Sequence, residues 1–126
     1  MANPFVHVEL HTGDLAKAKA FYSGLFGWNL QDLPAPGGGS YTMINVGGEG
    51  TGGGMTGDPG VPPHWMAYIG VDDAAATTAK AKSLGATVVQ DVMEVGDYGW
   101  MSVITDPTGA TFALWQAKTP EQSGGD

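Results

Sequence analysis

The feature that most constrains the fold of this chain is an internal repeat. When the sequence is slid along itself by 59 residues, its two halves align without a gap. Helix caps, apolar residues and turn residues then coincide, as in the pairs Asp14 and Asp73, Ala16 and Ala75, Leu25 and Leu84, and Tyr41 and Trp100. Because self-similarity at one fixed period marks a duplicated structural unit, we expect two copies of the same fold.

The first copy predicts a strand, a helix and then three strands. Residues 5–11 alternate strictly between apolar and polar side chains, which is typical of a half-buried strand. The polar face of that strand carries His7, Glu9 and His11. Asp14 is placed to cap the following helix, and Gly24 and Gly27 are expected to end it. Three further strands are predicted to start at Trp28, to span 41–46 and to lie near 52–55.

The second copy repeats this order of elements. A strand over 64–71 leads to a helix that Asp72 or Asp73 caps and Gly85 stops. The stripe of that helix that faces the core is predicted to consist of Ala74, Thr77, Ala81 and Leu84. Strands follow at 87–89, 100–105 and 110–116, and the last two are joined by the turn Asp106-Pro107-Thr108-Gly109.

These boundaries predict an α+β fold in a single domain, 1–126, made of tandem βαβββ modules. A hydrophobic fraction of 42% is enough to build a core in a chain of 126 residues. The divisions are module one over 5–56, a stiff linker over 57–63, module two over 64–116 and a flexible tail over 117–126.

The charge of the chain excludes one class of partner. The net charge is −8, from 13 acidic and 5 basic residues, so no basic patch can displace counterions from nucleic-acid phosphates. The chain has no cysteine, which excludes disulfides and thiolate metal sites. Neither a membrane helix nor a signal peptide is visible in the sequence, so we expect no membrane partner and a cytoplasmic location.

Three short segments carry a resemblance to a known superfamily. They are the stretch from His7 to Leu15, the set Phe21, Tyr22, Leu25, Phe26 and Gly27, and the turn from Asp106 to Gly109. In order and spacing these segments resemble the vicinal oxygen chelate superfamily, which includes glyoxalases, bleomycin-resistance proteins and extradiol dioxygenases. The resemblance covers residues 5–116. It implies a curved, mixed sheet with helices outside, wrapped around a ligand cleft.

The metal enzymes of that superfamily bind an ion through one residue from the first and one from the fourth strand of each module. The resemblance places these positions at His7, Gly54, Met66 and Ala113. Only the imidazole of His7 suits a divalent metal such as zinc, because glycine and alanine have no donor and a thioether suits softer ions. We therefore predict a cleft without a metal ion or other cofactor. A different metal site, made of His7, His11 and His64 in the assembly, stays open as an alternative.

The resemblance also indicates which residues face the ligand. These are His7, Glu9, His11, Gly54, Met66, Tyr68, Trp100, Ala113 and Trp115. Trp65 is expected to pack under a helix instead. Because aromatic faces attract cations and the chain is acidic, we expect a small aromatic ligand that carries positive charge.

The sequence therefore predicts a glyoxalase/bleomycin-resistance-like protein that binds a small molecule, with drug or metabolite sequestration as its role. The alternative is a divergent lyase or isomerase of the glyoxalase I type, similar to lactoylglutathione lyase, in which His7 and Glu9 are catalytic. The three missing metal ligands weigh against the lyase. By the same resemblance we expect a homodimer.

Overall fold

The computed structural model describes residues 2–35 and 39–118, and it confirms the predicted βαβββ order in both halves of the chain. The elements are β1 (Phe5–Thr12), α1 (Leu15–Phe26), β2 (Asn29–Pro34), β3 (Ser40–Asn45), β4 (Gly53–Gly57), β5 (His64–Gly70), α2 (Ala74–Ser83), β6 (Thr87–Val95), β7 (Gly99–Thr105) and β8 (Thr111–Ala117). Most of the predicted tail lies outside the described residues, and its first residue belongs to β8.

The chain forms two compact units. One is His7–Met66, and the other consists of the described residues of Met1–Val6 and Ala67–Asp126. The first unit orders its strands β2-β3-β4-β1, and the second orders them β6-β7-β8-β5. In both, the outer strands pair antiparallel, and β4 and β8 pair parallel with β1 and β5. The same order in both units agrees with the duplication that the sequence predicts.

Local sequence signals position α1. The carboxylate of Asp14 accepts a hydrogen bond from the backbone N–H of Lys17 at 3.0 Å, which caps the helix as predicted. Gly27 ends the helix with a φ of 68°, a conformation that favours glycine. Gly24 lies inside the helix, so the expectation that it helps to end α1 is wrong. Neither of the described helices is long and apolar enough to cross a membrane.

The core of the unit His7–Met66 lies between α1 and one face of its sheet. Leu10, Ile44 and Met55 are buried there, on three adjacent strands. Partly buried apolar side chains pack against them, among them Leu15, Ala18 and Tyr22 of α1. Because Leu10 takes the helix side of β1, the alternation of the strand turns His7, Glu9 and His11 to the opposite face.

The second unit buries a narrower stripe of its helix than the sequence predicts. Asp73 caps α2, but the buried helix residues are Ala74 and Thr78, and Leu84 is 69% exposed. Of the predicted stripe, Ala74 is buried and Thr77 and Ala81 are half-buried, but the placement of Leu84 in the stripe is wrong. The hydroxyl of Thr78 lies 2.8 Å from that of Ser102 on β7, so a buried polar contact fixes the rotation of the helix.

The third strands of the two modules, β3 and β7, are related by an offset of 60 residues instead of 59. Thr42 pairs with Met55 in one unit and Ser102 pairs with Leu114 in the other, which makes Thr42 and Ser102 equivalent at an offset of 60. The fourth strands keep the offset of 59, because Met55 corresponds to Leu114. Irregular register between β6 and β7 accompanies this shift. The gap-free alignment is thus wrong for β7, and Tyr41 corresponds to Met101 rather than to Trp100.

Candidate functional site

The face of the unit His7–Met66 that points away from α1 carries its chemically active side chains. Strand register aligns Gln31, Met43, Gly54 and Glu9 in one row across β2, β3, β4 and β1. Because neighbouring strands lie about 4.8 Å apart, this row spans about 14 Å, the length of a fused three-ring molecule. The register thus places a buried carboxylate and a polar edge strand on one continuous surface.

Tyr41 lies across this surface over Gly54. A Cβ atom at position 54 would lie only 2.0 Å from the Tyr41 hydroxyl and 2.3 Å from its ring carbon Cζ. The absence of a side chain at Gly54 is therefore what allows the tyrosine ring to reach from β3 over β4 to β1. The sequence predicted Gly54 as a ligand-facing position without a metal donor, but it did not predict the contact with Tyr41.

The hydroxyl of Tyr41 joins Glu9 and His7. It donates a hydrogen bond to Glu9 Oε2 at 2.6 Å and lies 2.7 Å from His7 Nε2. Since the hydroxyl has one proton and a carboxylate only accepts, His7 donates to Tyr41 through Nε2–H. Burial lowers the pKa of His7, which agrees with a neutral ring, while the nearby charge of Glu9 opposes that shift. Glu9 itself is 7% exposed.

His11 lies on the other side of the same carboxylate. Its Nε2 is 2.8 Å from Glu9 Oε1, a close ion-pair contact in which the N–H is poorly aligned with the oxygen. Its Nδ1 is 3.4 Å from Asp58 Oδ2, and its ring stacks on His64 with centroids 4.8 Å apart. The contact with Glu9 is the main cause that raises the pKa of His11, and Asp58 adds to it, against a smaller opposing effect of burial.

His7, Tyr41 and Glu9 form a hydrogen-bonded polar network, and a groove of about 460 Å³ opens beside it on this unit. Its walls are β2, β3 and the glycine-rich loop that follows β3. Among the residues that line it, Asn29, Gln31 and Asn45 carry amides, and Leu33 and Met43 are apolar. A surface that combines apolar contact with a few amides is typical of small-molecule sites.

The other unit has an equivalent face of different character. Tyr68 pairs with Ala113, and Met101 pairs with Trp115. The Tyr68 ring meets that of Trp115 at 6.5 Å, and its hydroxyl lies 3.9 Å from Met101 Sδ. Apolar and aromatic side chains therefore replace the polar network here.

Trp100 does not share this face. It pairs with Gln116 and alternates with Ser102, which contacts α2. The prediction that Trp100 joins Trp115 in one ligand wall is therefore wrong, because the one-residue shift in β7 turns it to the helix side. Its ring is covered instead by the ammonium of Lys118, 5.3 Å from the ring centroid.

The placement of Trp65 is confirmed. Its ring meets Tyr22 of α1 edge to face at 5.5 Å and Trp28 at 6.4 Å. Trp65 is nevertheless 41% exposed, so it borders the helix rather than filling the core.

The residues do not fit the metal site that the superfamily resemblance implies. The imidazole of His7 already donates to Tyr41, and the Tyr41 hydroxyl fills the space that a side chain at position 54 would need. Met66 and Ala113 are buried, and their side chains lack a nitrogen or oxygen donor. Across residues 2–35 and 39–118, no three His, Asp or Glu side chains form a cluster that could hold a metal ion. His11 and His64 stack face to face, an arrangement that does not converge on one ion.

The sequence did not predict the contacts of Tyr41 with Glu9 and His7, nor the three amides of the groove. Tyr41, Met43 and Asn45 alternate along β3, and this periodicity was a usable signal that they share a face. What the sequence did not contain was the register, which brings that face next to Gly54 and Glu9.

Comparison with known proteins identifies the family. Residues 5–114 match the model of the Glyoxalase/Bleomycin resistance protein/Dioxygenase superfamily. The chain therefore belongs to this superfamily, and the resemblance seen in the sequence is confirmed.

Curated relatives are considerably longer than this chain. The "Putative glyoxylase CFP32" of Mycobacterium tuberculosis is 45% identical over 115 residues, which cover 87% of this chain and 44% of the relative. The "Anthracycline biosynthesis protein DnrV" of Streptomyces peucetius is 32% identical over 126 residues, covering 86% of this chain and 45% of the relative. The chain thus spans less than half of the length of these relatives.

Solved structures show the same fold. The methylmalonyl-CoA epimerase of Mycobacterium tuberculosis superimposes with a TM-score of 0.68 at 15% identity, covering 95% of this chain and 91% of that one. The hypothetical protein BH1468 of Bacillus halodurans reaches 0.73 at 13% identity, covering 94% and 97%. At such low identity the likeness supports the fold alone.

Proposed function

We propose that this chain is a small-molecule-binding module that holds an organic ligand on the sheet face of the unit His7–Met66 without a resident metal ion. The observation that carries the proposal is the groove beside the network of His7, Tyr41 and Glu9, on the face that α1 does not cover. The name of the Streptomyces relative supports a planar aromatic ligand of the anthracycline type. The acidic net charge further favours ligands with a positive group.

Calorimetric titration with an anthracycline tests the proposal. Met43 lines the groove and is 37% exposed, whereas Met93 is 44% exposed on β6 of the other unit. We expect Met43→Ala to weaken binding by about fivefold or more, since it removes apolar contact with the ligand. The matched control Met93→Ala should bind like the unmodified protein. Equal affinities of the two variants would place the ligand elsewhere.

The expected absence of a metal has its own test. Elemental analysis after mild purification should find no stoichiometric Zn, Ni, Mn or Fe, because His7 alone offers a suitable donor among the four expected positions. One metal ion per chain, lost in a His7→Ala variant, would contradict this part of the proposal.

A second candidate function is a proton-transfer reaction, in which the chain acts as a lyase or isomerase. The network favours it, because a buried carboxylate beside a tyrosine hydroxyl and a neutral imidazole can take up and return a proton. A screen in deuterated water would detect turnover as exchange at carbon atoms next to a carbonyl, with the adduct of glutathione and methylglyoxal among the substrates. Exchange that disappears in Glu9→Gln, with unchanged unfolding, would put this candidate ahead of simple binding.

The remaining ligand contacts and the assembly are also proposals. We also propose Met66, Tyr68, Ala113 and Trp115 as ligand-facing residues. Met66 and Tyr68 are equivalent to His7 and Glu9, Ala113 is equivalent to Gly54, and Trp115 follows Ala113 on the same face of β8. A homodimer is supported by the exposed apolar residues of α1, namely Phe21, Leu25 and Phe26. Sedimentation of a ligand-binding monomer at micromolar concentration would contradict the dimer.

A further inference from the structure

We infer that the groove of the unit His7–Met66 selects an uncharged ligand moiety that bears a carbonyl oxygen, and that it rejects anionic ligands. This inference rests on the proposed function and specifies the ligand class of the same site. It follows from the groove lining: among the described residues, ten line it and none of them carries a formal charge.

The amide of Asn45 is oriented by the protein itself. Its Oδ1 accepts a hydrogen bond from the backbone N–H of Gly47 at 2.9 Å, and only the oxygen of an amide can accept one. Gly47 and Gly48 have φ values of 81° and 63°, so this loop needs glycine and is held at its start by Asn45. The –NH₂ group of Asn45 is then the part that remains for a ligand, and it is a pure donor. A donor in a groove without charge suits a carbonyl or quinone oxygen.

The rest of the groove suits the flat body of such a molecule. Leu33, Met43 and Val46 supply apolar surface, and the amides of Asn29 and Gln31 can either donate to or accept from a hydroxyl group. The combination of apolar walls with neutral amides matches a hydroxylated aromatic ketone or quinone better than a purely apolar or a highly charged molecule.

The electrostatics disfavour an anion. Lys19, a cation that contacts β2, forms an ion pair with Asp32 at 2.7 Å. Asp32 lies on the helix side of the sheet, because side chains alternate along β2 and its neighbours Gln31 and Leu33 face the groove. The carboxylate of Glu9 lies in the same row as Gln31 and Met43, and the chain as a whole has a net charge of −8. A phosphate or carboxylate in the groove would therefore lose its hydration without gaining a cation.

Competitive calorimetry with two probes tests the inference: a neutral hydroxyanthraquinone and the same ring system bearing a sulfonate. The neutral probe should bind at least tenfold more tightly than the sulfonate. Asn45→Asp keeps an oxygen that accepts from the Gly47 N–H, but it removes the –NH₂ donor and adds a negative charge. We therefore expect it to weaken binding of the neutral probe about tenfold, with an unchanged melting temperature of the protein. Gln90→Glu adds the same charge on exposed β6 of the other unit, and we expect it to leave binding unchanged.

The possible failures are distinguishable. If the sulfonate binds as well as the neutral probe and Met43→Ala weakens both, the groove is a binding site and the inferred ligand class is wrong. The class is equally wrong if Asn45→Asp binds the neutral probe with full affinity. If neither probe binds the unmodified protein, the proposed function and the inference fail together.

Discussion

Equivalent positions on the sheet faces of the two units carry opposite chemistry. Where module one has His7, Glu9 and Tyr41, module two has Met66, Tyr68 and Met101 at matching register positions. The backbone ladders are alike, yet one face holds a buried, hydrogen-bonded carboxylate and the other holds sulfur and aromatic groups. The duplicated fold thus supplies two similar sheet faces, and the side chains alone decide which of them can bind polar groups.

The two tyrosines make the contrast measurable. The Tyr41 hydroxyl donates to a carboxylate at 2.6 Å, whereas the Tyr68 hydroxyl reaches a thioether at 3.9 Å. A hydrogen bond to a buried charge is much stronger than one to a methionine sulfur. We therefore expect the stability of the chain to depend on the polar face far more than on its apolar counterpart.

Removal of the carboxylate should have the largest effect on stability. Glu9→Ala should lower the free energy of unfolding by about 3 kcal/mol, because it removes the acceptor of the Tyr41 hydroxyl and the negative charge beside the half-buried His11 ring. Urea unfolding measures the change. The control Glu94→Ala removes an exposed carboxylate that pairs with Lys118, and it should cost about 0.5 kcal/mol or less. Equal losses would show that the network is not a special contributor to stability.

Adding a side chain at position 54, where the Tyr41 ring crosses β4, should have the next largest effect. In Gly54→Ala the new Cβ would overlap the Tyr41 hydroxyl, so the ring must leave Glu9, at a cost of about 2 kcal/mol. In a Tyr41→Phe background the same substitution should also displace the ring but should cost less, because the hydrogen bond to Glu9 is already lost. A double-mutant cycle of the two substitutions, followed by chemical unfolding, gives the coupling. Additive effects would contradict the placement of Tyr41 over Gly54.

A smaller effect is expected from removing single hydroxyl groups. Tyr41→Phe should destabilise the chain by about 1.5 kcal/mol, since the buried carboxylate loses a hydrogen-bond donor. The equivalent change in the other unit, Tyr68→Phe, should cost about 0.5 kcal/mol or less, because a thioether such as that of Met101 is a weak hydrogen-bond acceptor. Thermal unfolding of the two variants side by side decides the comparison, and a larger loss for Tyr68→Phe would reverse it.

The smallest effect concerns pH and separates the two histidines of the polar face. The raised pKa of His11 means that its protonated form, which faces Glu9, Asp58 and His64, stabilises the fold below its ordinary value near 6.5. This contribution is lost as pH rises through the raised folded-state pKa. The pKa of His7 is lowered in the folded state. As pH falls below the ordinary histidine value near 6.5, the unfolded chain therefore takes up a proton more readily than the folded chain, and the fold loses stability.

Substitution of each histidine by glutamine should therefore have opposite pH profiles. His11→Gln should lose more stability at pH 6 than at pH 9, and His7→Gln should lose less at pH 5 than at pH 8. Melting temperatures across this range provide the measurement. Parallel profiles for the two variants would show that the shifts have a different origin.

Much of the fold could be predicted because its signals are local. Strict alternation over β1, the Asp14 cap, the positive φ of Gly27 and the turn at Asp106 each depend on residues within a few positions of one another. The turn illustrates this, since Asp106 Oδ1 accepts from the N–H and hydroxyl of Thr108, both at 2.7 Å. Local chemistry of this kind needs no knowledge of the rest of the chain.

Trp100 shows where such reasoning fails. A one-residue shift in the offset between β3 and β7 is invisible in a gap-free alignment, but it reverses the face to which every side chain of the strand points. The irregular pairing of β6 with β7 is the structural counterpart of that shift. The face of β8 to which Trp115 points could be predicted, because that strand keeps the offset of 59.

The sequence alone predicts the duplicated βαβββ order, the caps and turns, and the polar alternation of β1, and it has no metal donor at Gly54 or Ala113. The folded chain adds that Tyr41 crosses Gly54 to reach Glu9 and His7, and that three amides line one groove. These contacts join residues that are distant in the chain, such as His7 and Tyr41, which are 34 positions apart, and they depend on strand register and on the space above a glycine. Neither of these is encoded in the periodicity of any one segment.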